Sequence, residues 1–552
     1  MPDYEKFSKN SSINSLIEKI LDELCPFLEE QAEEISQLTS IGKALGSRKD
    51  ISELLEIILT IARRFTKADG GTLYLVDNKN QNLNFHVIHN ATLKLKKTGR
   101  AINLPGVSLY NKDNTPNLSN VSSYVFHTGQ IVNIDNVYET KKFQFQGTRK
   151  FDAALHYKSQ SMIVIPMRNH ENDIIGILQL INSIDPFSGK TVSFTSNDQE
   201  KASALASHAS VLLTQQNLIL EMKELFEAFI KAIAVSIDEK SKHTSGHIQR
   251  VTELCLMIGK AINKDTTIYK NTSLDPDQMD ELRIAALMHD TGKITTPDHI
   301  INKSSRLELF HDRIELIKTR WDLFKTNQKL AAAQKKLALL DQTQSKKQFA
   351  RIDARCSEKI HELEKEFDTL SRINSTKGRL DKALIDQLKK IYEKSDLINN
   401  RKESYLNDDE FENLSVLKGT LAQQEREIIN SHAGLSQKIL SKLPWPKKLA
   451  NIPSIAGAHH EKLDGSGYPL HLKKENLNLQ ARILAIADIF EALSAQDRPY
   501  KKPKTLNQTI KVLEQMGQNK LLDSDIIKIF FKSETHLEYA KTYMSPWQMD
   551  IR

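Results

Sequence analysis

AHHEKLDGSGYP, residues 458–469, sets two adjacent histidines ahead of a turn that holds two glycines and a proline. Either the glycines close a loop and the histidines pack locally, or His459 and His460 belong to a metal site walled by Gly467, Tyr468 and Pro469. Residues elsewhere in the chain decide between these. Upstream stand His243-Thr-Ser-Gly-His247, then LMHDTGK (287–293) with His289, Asp290 and Lys293, then His432 in IINSHAG (428–434). Downstream, Asp488 sits in AIADIFEAL (485–493). His289, Asp290 and Asp488 all lie in apolar helical runs, where charge is costly unless it is paired or bound to metal. A buried carboxylate among neutral imidazoles suits iron, manganese or zinc. One aspartate between two histidine clusters can bridge two cations about 3.5–4 Å apart, an arrangement that clamps and polarises a phosphodiester. Lys293, one helical turn after His289, adds a fixed positive charge for a phosphate oxygen.

The 552 residues exceed what one compact core usually supports, so two or more domains are expected. A hydrophobic fraction of 39% with 27% charged residues describes a globular protein. The formal charge of +7 is weak for this length, and no Lys/Arg block interleaves with aromatics, which argues against nucleic acid as a partner. Cys25, Cys255 and Cys356 lie far apart and form no metal or redox spacing, as expected in a reducing compartment. No run approaches the about 18 apolar residues of a membrane span, and residues 1–15 lack an apolar signal core. A cytoplasmic protein without membrane partners is the expectation.

The spacing of apolar residues predicts an N-terminal helical segment over 1–35, part of a helical pattern at 13–47. A mixed region follows, with a helix at 51–65, strands at 71–77, 83–89, 161–167 and 174–182, and a helix at 198–214. Helices bracketing strands suggest an α+β domain over 36–213, with a central antiparallel sheet flanked by helices. Leu218, Met222, Leu225, Phe229 and Ala232 form a heptad-like stripe, which predicts a linker helix at 214–236 and a parallel homodimer. Residues 298–377 hold neither Gly nor Pro, and Cys356, Ile360, Leu363, Phe367 and Leu370 repeat at four-three spacing. A long helix or helical hairpin of coiled-coil type is expected there, within an insertion at 306–420.

Residues 36–213 resemble a GAF domain, on the opening helix, ADGGTLYLVD (68–77), MIVIPM (162–167) and IIGILQLIN (174–182). The cyclic-nucleotide signature of phosphodiesterase GAF domains is met at Asn182, Phe194 and Asp198, while Ser183 replaces its lysine and Gln199 its glutamate. The resemblance implies a small-molecule or cyclic-nucleotide ligand held by those three residues, or a purely structural GAF domain. No cysteine lies between residues 26 and 254, which excludes a thioether-linked bilin.

The later motifs resemble the HD-GYP family of the HD hydrolase superfamily. They are GHIQRV (246–251), HDTGKITTPDHIINK (289–303), EREIINSHAGLSQKIL (425–440), HHEKLDGSGYP (459–469) and RILAIADIFEALSAQDRPYKKP (482–503). The resemblance implies an all-α HD-GYP domain in two parts, 237–305 and 421–552, interrupted by the helical insertion. It implies a cyclic di-GMP phosphodiesterase yielding pGpG, GMP or both, regulated through the GAF domain. It places metal ligands at His247, His289, Asp290, His432, His459, His460 and Asp488, with Asp290 as bridge, for two or three divalent ions, iron or manganese first. It places substrate contacts at Lys293, Gly467, Tyr468, Pro469, Arg498 and Lys501. His243 stands where trinuclear members carry a glutamate, and it is either a third-metal ligand or a surface residue. A cyclic dinucleotide receptor with little turnover, or a hydrolase of another cyclic dinucleotide such as cyclic GMP-AMP, remain the alternative functions.

Overall fold

The computed structural model describes residues 51–550 except 78, 80, 241–245, 340–344, 399–400 and 497–502, together with 15, 16 and 19–21. The N-terminal helical expectation therefore falls almost wholly outside the described residues, as do His243, Arg498 and Lys501. The chain divides into two compact units between Leu225 and Phe226.

The first unit is built on an antiparallel sheet. Its strands are β1 (Ala68–Asp77), β2 (Asn82–Asn90), β3 (Leu95–Thr98), β4 (Val107–Ser108), β5 (Val132–Ile134), β6 (Met162–Arg168), β7 (Ile174–Ile184) and β8 (Thr191–Val192). The order is β3-β2-β1-β7-β6-β5, with β4 on β2 and β8 on β7. Side chains alternate along each strand, so one face differs from the other. Ile163, Ile165, Leu178 and Leu180 meet Leu55, Ile58 and Leu59 of helix α1 (Ile51–Phe65). Ala202, Leu205 and Ala209, from the start of a helix at Ser196–Lys240, complete that layer. Met162, Val164 and Ile177 face the other way, against Val125 of helix α2 (Val121–Thr128) and the Phe143 and Phe145 rings. Helix α3 is Gln146–Leu155, and the Ser196–Lys240 helix is α4. Beyond Leu225, α4 buries Ile230, Ala234 and Ile237, while Leu218, Met222, Leu225 and Phe229 are exposed.

The second unit is helical. One core joins α5 (His247–Lys264), α6 (Pro276–Met288), α12 (Gln423–Leu440), α13 (Ile452–Gly457) and α14 (Leu479–Ser494), with α15 (Leu506–Gln518), α16 (Ser524–Lys532) and α17 (Thr535–Tyr543) closing one side. Helix α6 starts on a complete capping box, in which Asp275 accepts from Gln278 N and Pro276 takes the first turn. Helix α14 is apolar nearly all round, with Ile483, Leu484, Ile486 and Phe490 fully buried, as a central helix must be.

Between α6 and α12 lie the short α7 (Asp298–Ile301), then α8 (Ile314–Leu337), α9 (Ser345–Ser375), α10 (Lys382–Tyr392), a two-stranded hairpin of β9 (Ser395–Ile398) and β10 (Arg401–Ser404), and α11 (Asp408–Leu414). Of the long helix or helical hairpin expected from residue 298, the structure has the hairpin, and it begins only at 314. Ser304 and Ser305 turn the chain before it by bonding to Glu308 and Asp312. The β9–β10 pair was not expected from the sequence. This region has its own core, in which Trp321 and Phe324 of α8 meet Leu363 and Leu370 of α9, Leu388 and Tyr405. Arg306 roots it. That guanidinium is fully buried and donates to the Ile373 carbonyl at 2.7 Å, the Val416 carbonyl at 3.2 Å and the Thr376 carbonyl. The Lys303 ammonium donates to Asn413 and to both oxygens of Glu425, and Thr420 Oγ1 donates to the Lys303 carbonyl at 3.2 Å.

Candidate metal centre

Five separate pieces of chain bring the seven expected ligands together. His247 opens α5, His289 caps α6, Asp290 follows it, and His432 lies inside α12. His459 and His460 follow α13, and Asp488 sits in α14. Two nests result. His247, His289 and Asp290 gather their donor atoms within 4.8 Å, and so do His432, His459 and His460. The Asp290 carboxylate lies between them. Its Oδ1 is 3.3 Å from His432 Nε2, while its Oδ2 is 3.4 Å from His289 Nε2 and 3.8 Å from His247 Nε2. Asp488 Oδ1 stands 3.4 Å from His247 Nε2 and its Oδ2 3.9 Å from His460 Nδ1.

The imidazoles are oriented by bonds to the ring nitrogen that faces away from the nests. His289, His432 and His459 each donate Nδ1–H to the carbonyl three residues earlier, Ala286, Ile429 and Ala456, at 2.6, 2.6 and 2.7 Å. A carbonyl only accepts, so each Nε2 is left as the basic nitrogen, aimed inward. Burial holds His289 below its ordinary pKa, His459 well below it, and His460 down to about 4. All three are therefore neutral at pH 7, the state a ligand needs. His247 differs. Burial opposes its charge, but Glu491 and Asp488 outweigh that and push it up to about 9. Carboxylates that favour a proton there also favour a cation. Burial likewise opposes ionisation of Asp290 and Asp488, yet Lys293 and His289 for the first, and His247 and His460 for the second, hold both well below the carboxylate range.

The donor set fits a metal centre on one direct observation: His289 Nε2 is buried and has no hydrogen-bond partner. A buried imidazole nitrogen with nothing to bond is costly unless something else fills the position.

Sequence reasoning missed Glu491. It is fully buried, accepts from His247 Nδ1, and is held by Arg250 Nε at 2.8 Å. Glu491 lies three residues after Asp488 on α14, so the two carboxylates share one face and flank the His247 ring from both sides. The signal was present, since a second acid in the same apolar helical run needs a partner as Asp488 does. Glu491→Gln is expected to lower metal affinity about 10- to 100-fold while leaving the helical circular dichroism unchanged. Equal metal titrations for the two proteins would refute the orienting role.

The centre opens on one side. The His460 and Lys293 side chains are each 27% exposed, whereas those of the other ligands are at most 10% exposed. Lys293 Nζ bonds Asp290 Oδ2 at 2.6 Å. The GYP turn forms the wall here. The Tyr468 ring lies 4.9 Å from the His460 ring, and Pro469 packs near Gly434 of α12. Gly467 presses so closely on the preceding chain that a Cβ would fall 2.4 Å from Lys462 N and 2.6 Å from the His460 carbonyl. Glu461, buried beneath, accepts from Leu470 N at 2.6 Å and Leu472 N at 3.0 Å and ties the turn down.

In the first unit, Asn182, Phe194 and Asp198 were the expected ligand contacts. The Asn182 amide bonds Gln160 N, the Tyr157 hydroxyl and the Lys158 carbonyl, Phe194 lies in the core, and Asp198 caps α4 through Thr195. Each of the three thus has a structural contact of its own.

Comparison with known proteins agrees with this division. A GAF domain model matches residues 50–213, and two HD domain models match 244–368 and 409–526. The 3'3'-cGAMP-specific phosphodiesterase 3 of Vibrio cholerae is 41% identical over 97 residues, which is 18% of this chain and 20% of that protein. A cyclic di-GMP phosphodiesterase of Thermotoga maritima is 36% identical over 119 residues, 22% of this chain and 32% of that protein. The chain thus spans a third or less of the length of these relatives. Among the described residues no helix is long and apolar enough to cross a membrane. The chain thus carries a region similar to GAF domains, followed by two regions similar to HD domains that hold the two imidazole nests.

Proposed function

We propose that the protein is a metal-dependent phosphodiesterase that opens cyclic dinucleotides, with cyclic di-GMP as its substrate. One observation carries the reading: the two oxygens of Asp290 face two different imidazole nests across a site open at Lys293 and His460. Two or three divalent ions held there, iron or manganese first, would supply Lewis acidity and lower the pKa of a water. The chain's own groups do the rest. Lys293 offers a positive charge at the mouth, where it can exchange Asp290 for a phosphate oxygen. Tyr468 presents a ring face against which a purine can stack, and Pro469 backs it. Arg498 and Lys501, which the family resemblance assigns to the substrate, lie outside the described residues.

A second substrate reading has its own support, because the relatives that are 41–42% identical carry the name of 3'3'-cGAMP-specific enzymes. Incubating the iron- or manganese-loaded protein with each dinucleotide separates them. Linear pGpG or GMP from cyclic di-GMP at the higher kcat/KM supports the proposal, and preferential cleavage of cyclic GMP-AMP replaces it with the second reading. Tight binding with no product from either would make the protein a receptor.

Regulation by the GAF domain through α4 is part of the same proposal. The exposed stripe at Leu218, Met222, Leu225 and Phe229 lies on the part of α4 leading into the buried turn at Ile230, Ala234 and Ile237, and supports a parallel homodimer. Sedimentation at micromolar concentration should give a dimer, and a monomer there would sink the idea.

A further inference from the structure

Helix α8 has two faces, and among the described residues only one is buried in a core. Ile317, Trp321 and Phe324 are buried against the insertion's core. The opposite face presents Leu316, Leu323, Leu330 and Leu337, seven residues apart and 52, 50, 53 and 70% exposed. Thr319, Thr326 and Ala333 stand between them, also exposed, which makes an unbroken three-four alternation without a charge. This is the seam of a coiled coil, about 32 Å long, left exposed among the described residues. Four leucines at half exposure or more on one helix face form a contiguous apolar strip of the kind that marks an interaction surface.

The residue before each leucine identifies the occupant. These are Glu315, Asp322, Lys329 and Lys336, acidic in the first half of the helix and basic in the second. We infer that α8 docks antiparallel on α8 of a second copy of this chain. Turning the helix end for end about a point between Leu323 and Thr326 sets Leu323 opposite Thr326, Leu316 opposite Ala333 and Thr319 opposite Leu330. In the same register Glu315 meets the second copy's Lys336, and Asp322 meets the second copy's Lys329, each pair occurring twice by symmetry. A parallel register loses this match. It puts Asp322 beside Asn327 and Lys329 beside Gln334, and its single opposite-charge pair would use Arg320, which already forks onto Glu410 at 2.8 and 3.0 Å. Asp322 touches Lys325 at 2.7 Å and Lys336 touches Asp353, but these are surface pairs that can be shared. The strip is narrower than a standard interface, so the contact is weak unless another part of the chain already holds two copies together. The insertion thereby acquires a role independent of the phosphodiesterase reading, as an assembly arm.

Crosslinking in the full-length protein tests register and orientation together. Leu323→Cys with Thr326→Cys, oxidised mildly and mapped by mass spectrometry, should join position 323 of one copy to position 326 of another. Adding Asp322→Lys sets like charges on the partner lysines and should lower that yield about fivefold, and adding Lys329→Asp as well should restore it. All of these positions are exposed, and matched circular dichroism shows that the variants are folded. The inference is overturned if no intersubunit 323–326 disulfide forms. It is equally overturned if Leu323→Cys alone joins the two 323 positions at comparable yield, which would mean a parallel contact, or if the charge reversal changes nothing.

Discussion

Asp290→Ala should reduce cyclic dinucleotide turnover by about 10³-fold or more and lower the metal content of the purified protein. Its carboxylate lies between the two imidazole nests, one oxygen at 3.3 Å from His432 and the other at 3.4 Å from His289. Without it only Asp488 reaches both nests, and like-charged ions held in them would repel each other with less negative charge between. The fold is expected to survive. The partner left behind, Lys293, is part-exposed and can return to water, so no buried charge is stranded. Asp290→Asn, which keeps the shape and removes the charge, should fail nearly as badly. Turnover within tenfold of wild type in either variant, at matched metal loading, would end the bridging assignment.

Gly292→Ala should cost about 3 kcal/mol or more of stability, from a single added methyl group. The HD turn lies directly on α12. A Cβ at residue 292 would sit 2.0 Å from the His432 carbonyl oxygen and 2.8 Å from Ser436 N, both backbone atoms that cannot swing aside. Overpacking against side chains costs about 1–3 kcal/mol, and backbone yields less readily. The Gly292 N–H also donates to Ser436 Oγ at 2.8 Å, and that hydroxyl donates to the His289 carbonyl at 2.6 Å, so the turn and α12 must part together. A fall of roughly 6–12 °C in Tm is expected from that cost. Displacing α12 also moves His432 away from Asp290, and a shift of about 1 Å in a catalytic group can cost about 10²-fold in rate. Thermal melting and turnover of the same preparation check both effects. A variant that melts within about 2 °C of wild type would show that the turn does not press on α12 as described.

The candidate ligand set was legible because its members break a rule of composition. Charged or polar residues such as Asp290 and Asp488 within apolar helical runs need a reason to be there. The strands at 71–77 and 174–182 were legible from their apolar runs, and β1 and β7 contain them. The short strands β3, β4, β5 and β8 span two to four residues each, too few to show a period. The carbonyls of Ala286, Ile429 and Ala456 left no trace in sequence, since every residue has one and only helix geometry selects which meets the imidazole. Asn182 matches a ligand motif in sequence, and the three local hydrogen bonds it makes were not legible there. In the insertion, the absence of Gly and Pro spoke for helix, and α8 and α9 are that helix. The turn at 302–313 was hidden because serines and acids, not glycines, make it.

The point where the insertion leaves the domain is also where it returns. Thr420 bonds the Lys303 carbonyl, and Lys303 in turn holds Glu425 at the start of α12. For the metal-bearing domain the whole detour is thus topologically equivalent to a short surface turn, closed at its neck before any of its helices are counted. Closing a long loop costs little more than closing a short one, because the entropy grows only with the logarithm of length. A chain arranged this way can gain, lose or exchange the module without disturbing the order in which Asp290 and His432 meet. The insertion is best understood as cargo carried on a neck whose two strands were already neighbours.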